Sequence, residues 1–226
     1  MKKYIRWFAN NNLKNSVKGA RRGCRAYIAV GGGIEVPLVM GSRSTYVGGK
    51  IGGIEGRPLV AGDKIPKGDA YGTPGKRVPE EFLQTYSHRP TIRVILGPQE
   101  DYFSEGIQVF LNSEFKVSTK ADRMGYRLEG PVINLQDGVE KSIISEPSVP
   151  GGIQIPPDGQ PIVLLVEQTV GGYAKIATVI STDIGQVGQT KPGDTIRFKE
   201  VTLEEAHRLL MEERGKIQKF KDRVGL

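Results

Sequence analysis

The chain has 226 residues, 38% hydrophobic and 25% charged, so it can bury a core and is not a disordered polymer. Its single cysteine, Cys24, excludes an intrachain disulfide, and with His88 and His207 far apart no metal-ligand spacing is present. A net charge of +7 raises the question of nucleic acid, but no nucleic-acid motif is found and aromatics do not interleave with the basic residues, so the surplus reads as a solvated basic surface.

Residues 1–22 are basic and Asn-rich, with a small apolar knot at Tyr4 to Phe8. This start lacks a long apolar signal core, and no later stretch reaches membrane-spanning length, so a soluble, cytoplasmic protein is expected. Thirty Gly and fourteen Pro imply many tight turns and therefore many short strands. Arg25-Ala-Tyr-Ile-Ala-Val30 reads as a strand closed by three glycines, and the Gly-dense text after it has little periodicity. Together with a Pro- and Gly-rich linker, residues 23–89 form an expected N-terminal β subdomain.

A second domain is expected over residues 90–201. Its predicted elements are a strand at Thr91–Leu96, a short helix from Ser104 through Leu111, and strands at Phe115–Ser118, Ser142–Ser145, Pro161–Gln168, Ala174–Ser181 and Thr195–Val201. The C-terminal residues 202–226 are helical. Thr202-Leu-Glu-Glu205 is a capping box, and Leu203, Ala206, Leu210, Ile217 and Phe220 make an apolar stripe that reads as a packing face. Many strands and few helices indicate a mainly β, barrel-like architecture.

Two clusters carry candidate chemistry. Ile162 to Val166 is an uninterrupted apolar run, and Gln154, Asp158, Gln160, Gln168, Thr169 and Lys175 lie just outside it in segments broken by Pro and Gly. That arrangement suits polar groups held at the rim of a pocket. Pro156-Pro-Asp-Gly159 is equally an ordinary tight turn. The second cluster is Asp122 to Gly130, where Arg123 and Arg127, four apart, could grip a carboxylate or be neutralised by Asp122 and Glu129. Arg43 and Arg57, in Gly-flanked loops, pose the same choice. No hydrolase nucleophile elbow, P-loop or dinucleotide fingerprint is present, and neither histidine has a motif partner.

Six ordered segments carry a family resemblance. They are Gly41-Ser-Arg-Ser-Thr-Tyr46, Gly53-Ile-Glu-Gly-Arg-Pro-Leu59, Gly97-Pro-Gln-Glu-Asp-Tyr-Phe103, Asp122-Arg-Met-Gly-Tyr-Arg-Leu-Glu-Gly130, Gln154-Ile-Pro-Pro-Asp-Gly-Gln-Pro161 and Gly171-Gly-Tyr-Ala-Lys-Ile-Ala-Thr-Val179. Together they resemble the allophanate hydrolase subunit 2 family, also called the Kip antagonist family or the family of 5-oxoprolinase C subunits. The same module is similar to part of the carboxyltransferase domain of urea carboxylase. The likeness covers about residues 23–200. Family members carry a further N-terminal segment with a Gln-Asp-x-Gly-Arg type motif, which residues 1–20 do not resemble, so the first subdomain is expected to be incomplete.

The resemblance implies a cyclophilin-like β-barrel beside a smaller β subdomain, without importing prolyl isomerase activity. It implies one component of a multi-subunit, ATP-dependent 5-oxoprolinase, inactive alone, which opens the lactam of 5-oxoproline to glutamate. The implied partners are a paralogous, Kip inhibitor-like B subunit and an A subunit, with ATP used by the assembled complex. Asp158 and Lys175 are the candidate catalytic residues; Arg123, Arg127, Gln154, Gln160, Gln168 and Thr169 are the candidate substrate-binding residues, and no metal is expected. One alternative is the carboxyltransferase component of a biotin-dependent urea or amide carboxylase, its biotin on another polypeptide because a Met-Lys-Met attachment motif is absent. The other is a non-enzymatic regulator that binds the Kip inhibitor-like protein.

Overall fold

A computed structural model describes residues 23–69, 78–166 and 170–225. The chain divides into two units, one of residues 1–18 and 26–78, the other of residues 19–25 and 79–226. Gln168 and Thr169 lie outside the described residues.

The first unit is held by turns and polar ties. Its ladders are isolated bridges, Ile34 with Lys67, Val39 with Ser42 and Tyr46 with Ile51. Among its described residues only Val36 counts as buried and hydrophobic, while Tyr27, Ile28 and Met40 are exposed. The strand expected over 25–30 has no ladder partner among the described residues. Gly56 closes a turn at φ 63°, where a Cβ would stand 2.1 Å from the carbonyl carbon of Lys50.

Arg57 organises the Gly-rich loop. Its guanidinium grips Asp63 bidentately at 2.8 and 3.0 Å and reaches Glu55 at 3.1 Å, so its charge is spent on structure. Arg43 donates to the Val36 carbonyl at 3.2 Å. The Arg57 hydrogen bond, aided by the Val60 N–H, holds the Asp63 carboxyl down at about 2 against an ordinary 3.8. A carboxyl lowered in the folded state stabilises it fully above the ordinary value and loses that contribution as pH falls toward about 2. Carboxyl-carbon NMR of Arg57→Met should therefore show the Asp63 midpoint moving up toward 3.8. A wild-type midpoint already at 3.8 would mean that the pair does not form in solution.

The second unit is a closed barrel. In chain order its elements are β1 (Thr91–Leu96), α1 (Glu105–Asn112), β2 (Glu114–Val117), β3 (Gly125–Glu129), β4 (Glu146–Pro147), β5 (Gly152–Gln154), β6 (Ile162–Leu164), β7 (Val170–Gly171), β8 (Lys175–Val179), α2 (Ile184–Gln189), β9 (Thr195–Glu200) and α3 (Leu203–Val224). The barrel order is β1-β8-β5-β6-β3-β2-β9, closed by a parallel ladder in which Thr91 faces Arg197, while the other pairs are antiparallel. β4 and β7 form a separate two-stranded ribbon. The mainly β barrel with a C-terminal helix is the architecture that the sequence implies.

Alternation fills the interior. Ile92 and Val94 of β1, Phe115 and Val117 of β2, and Tyr126 and Leu128 of β3 are buried, with the residues between each pair facing outward. Phe110 of α1 stacks on Phe198 of β9 with ring centroids 4.4 Å apart, so the helix closes over the core. Ser104 occupies the N-cap of α1 at φ 38° without a side-chain capping bond. Residues 23–25 are tied to α2: Gln189 Oε1 accepts from the Cys24 and Arg25 amides at 2.9 Å, and Arg25 donates to the Tyr126 hydroxyl and the Gly188 carbonyl.

On the outer side of β1, Arg93 meets Asp183 at the start of α2. Its Nε and Nη2 donate to the two carboxylate oxygens at 2.9 and 2.5 Å, and its backbone N–H adds a third bond at 2.9 Å. Farther on, α3 begins as the capping box predicts, Thr202 accepting from the Glu205 amide at 3.2 Å, and it ends at Gly225 in the left-handed region. No residue of α3 is fully buried: Phe220 makes an edge contact with Phe82 at 5.3 Å, while Leu203 and Ile217 stay half exposed. The apolar stripe is thus only partly covered. No described helix is long and apolar enough to cross a membrane.

Candidate functional site

Strand register places three of the candidate residues, Arg127, Gln154 and Lys175, along one rim of the barrel. Arg127 of β3 faces Ile162 of β6, Ile162 faces Gln154 of β5, and Gln154 faces Lys175 of β8. Three strand spacings separate Arg127 from Lys175, about 14 Å along the sheet. A bulge between Ile153 and Gln154 brings Gln154 opposite Lys175 rather than Ile176.

At one end of this row, polar groups satisfy each other. Arg127 Nη2 donates to Asp158 at 2.5 Å, and Asp158 also accepts from the Gln160 amide at 3.1 Å. The Gln160 carboxamide clamps Gly130, accepting from its N–H at 2.8 Å and donating to its carbonyl at 3.1 Å. Desolvation raises the Asp158 carboxyl, but the bonds from Arg127 and Gln160 outweigh it and leave it below its ordinary value. Such a carboxylate is a weak proton acceptor. Gly159, at φ 70° with its N–H on the Pro156 carbonyl at 2.9 Å, makes Pro156 to Gly159 a tight turn. Arg123 lies exposed in the turn before β3, where Asp122 accepts from the Met124 amide at 2.8 Å.

The other end of the row is buried and less settled. Lys175, its side chain only 5% exposed, donates from Nζ to Glu146 of β4 at 2.5 Å. Gln99 bridges the pair: its Oε1 accepts from the Lys175 backbone N–H at 3.0 Å, and its Nε2 donates to Glu146 at 3.4 Å. The Lys175 hydrogen bond holds the Glu146 carboxyl below its ordinary value, so it stays ionised at neutral pH. Buried Gln154 has no hydrogen-bond partner for its Nε2 among the described residues. An unpaired buried amide costs about 1–3 kcal/mol, so its retention needs a reason.

The β4–β7 ribbon roofs this group. Gly171 pairs with Glu146, and a Cβ added at Gly171 would lie 2.2 Å from Gln154 Nε2, so any larger residue would push the Gln154 carboxamide aside. Beside the ribbon opens a cleft of about 550 Å³, whose walls include Gln99, Tyr102, Ser142, Ile143 and Glu146. The structure thus gathers Gln154 with Lys175, and Arg127 with Asp158 and Gln160. It adds Gln99 and Glu146, which residue-type reasoning missed. Gln99 stands inside Gly97-Pro-Gln-Glu-Asp-Tyr-Phe103, a segment already conspicuous as a motif. Glu146, in Ser-Glu-Pro-Ser, carries no comparable signal. Among the described residues no group of three His, Cys, Asp or Glu could hold a metal ion.

Comparison with known proteins adds an independent line. A family model described as carboxyltransferase domain, subdomain A and B, matches residues 1–200. The chain is 38% identical over 195 residues to the 5-oxoprolinase C subunit of Escherichia coli, covering 84% of this chain and 61% of that protein. Its Haemophilus influenzae namesake is 36% identical over 192 residues, covering 84% and 60%. The chain therefore spans about three fifths of the length of these curated relatives. Among solved structures, Kluyveromyces lactis urea carboxylase superposes with a TM-score of 0.76 at 31% identity, over 88% of this chain and 20% of that one.

Proposed function

We infer the function from one premise: the chain belongs to the family of carboxyltransferase domains, subdomains A and B. Within it, the chain serves as the C subunit of an ATP-dependent 5-oxoprolinase, working with a Kip inhibitor-like B subunit and an A subunit to open the lactam of 5-oxoproline to glutamate. The observation that carries this reading is the buried donor pair at the barrel rim, Lys175 with its ammonium and Gln154 with an amide that has no partner among the described residues. A lactam resists attack until negative charge on its oxygens is stabilised, and preorganised donors away from water do this most effectively. Lys175 and Gln154 bind the amide substrate, with Arg127 and Asp158 flanking the same rim.

ATP is used by the assembled complex, which this reading sets in the cytoplasm. The residues at this rim do not fit a triphosphate: Lys175 and Arg127 are each paired with a carboxylate, and the sequence has no Gly-rich phosphate loop of the P-loop kind. The chain's contribution is thus recognition and charge stabilisation of the lactam.

The likeness to urea carboxylase favours a second reading, transfer of a carboxyl group from a biotin carried by another polypeptide onto urea or a related amide. Combining the protein with its candidate A and B subunits and following glutamate from 5-oxoproline separates the two. ATP-dependent glutamate that disappears when this chain is omitted supports the first reading. Its absence, with product that depends on bicarbonate and a biotinylated partner, supports the second.

A further inference from the structure

Several donors converge beneath the β4–β7 ribbon. Lys175 offers three N–H groups, Gln154 an amide without a partner among the described residues, and Gln99 its Nε2. The acceptor that Lys175 and Gln99 share is Glu146 Oε1, at 2.5 and 3.4 Å. The supports of these groups differ. Lys175 and Gln154 stand on barrel strands, and Gln99 is pinned to the Lys175 backbone at 3.0 Å. Glu146 stands on a strand of two residues whose ladder partner is β7, and its side chain is 40% exposed.

We propose that Glu146 is an internal stand-in for the carboxylate of a small anionic ligand, which displaces it from Lys175 and binds Lys175, Gln154 and Gln99 in its place. This rests on reading the rim as a substrate site, and it adds the substrate's carboxylate to the groups that these donors recognise. Exchanging one carboxylate for another keeps the buried ammonium compensated and avoids the cost of leaving it alone. The incoming group gains a bond that Glu146 leaves unmade, from the Gln154 amide. A neutral amide cannot make the exchange, because Lys175 would lose its counter-charge. The ribbon is the gate: its backbone lies so close over Gln154 that the seat is shut while Glu146 holds Lys175.

The test is calorimetric titration of the full chain with 5-oxoproline, with acetate, and with 2-pyrrolidinone, the same lactam without the carboxylate. Glu146→Gln should tighten both anions about tenfold, since the internal competitor is gone, and leave 2-pyrrolidinone unchanged. Lys175→Met should abolish binding of both anions. No tightening of either anion in Glu146→Gln overturns the proposal, even if the assembled enzyme turns over 5-oxoproline. Tighter acetate binding without any binding of 5-oxoproline keeps the carboxylate seat and removes 5-oxoproline as the substrate. Hydrogen exchange on the wild-type chain gives a readout independent of any variant's folding: anion binding should accelerate exchange of the ribbon amides, and unchanged exchange counts against displacement of Glu146.

Discussion

Gln154→Met is expected to raise the unfolding free energy by about 1 kcal/mol while lowering glutamate formation by the assembled complex about 100-fold. Both effects have one cause. The Gln154 amide is buried without a partner among the described residues, so the folded state bears a desolvation cost that the unfolded chain does not. Met has a similar length and no polar head, and its flexible thioether fills irregular space. Removing the amide also removes a donor facing the substrate, and losses of single charge-stabilising donors are typically of this size. Denaturant unfolding of the isolated chain and turnover of the complex provide the two readings. A destabilised variant with normal turnover would mean that the amide is a satisfied structural group and would remove it from the site.

Arg93→Met is expected to cost about 3–5 kcal/mol of stability, measured by denaturant unfolding at neutral pH. Asp183 is fully buried and its carboxylate takes two bonds from the Arg93 guanidinium, so truncating the arginine removes its counter-charge and leaves it only the Arg93 backbone N–H and the Thr182 hydroxyl. Two comparisons isolate that mechanism. Arg197→Met breaks an ion pair with Glu114 of similar length, 2.5 Å, but both partners are exposed, and its cost should stay below about 1 kcal/mol. Arg93→Met combined with Asp183→Leu should recover most of the loss, because no uncompensated charge remains. If the double variant is as unstable as the single one, the role of Arg93 lies in its packing.

What could be read from the sequence depended on how local its cause was. β1, β8 and β9 were legible because apolar residues cluster there between turn residues, and α3 because a capping box is a four-residue signal. β3 was legible in principle, since Gly-Tyr-Arg-Leu-Glu alternates, but its Arg127 drew attention to charge instead of period. β5 is only three residues entered through two glycines, and α2 carries glycines at positions 185 and 188, so neither has a periodic signature. The expected strand over 142–145 is irregular, and pairing starts at Glu146, where β7 supplies a partner. The candidate site divides likewise. Gln154 and Lys175 were visible as polar residues at the ends of apolar runs. That Glu146 would meet Lys175, 29 residues away, depends on the ribbon and is written in no short stretch of sequence.

The parallel ladder between β1 and β9 has a kinetic consequence. It joins Thr91 to Arg197, at opposite ends of the barrel's sequence, so closure must bring together distant segments before their contacts repay the entropy of the enclosed loop. Such topologies fold slowly for their size. Until β9 arrives, β1 and β2 each present an unpaired edge, since β9 lies between them. During synthesis, about one hundred residues of barrel therefore wait for their final strand. The interval in which this chain is vulnerable to aggregation is set by the time its last strand takes to emerge and dock.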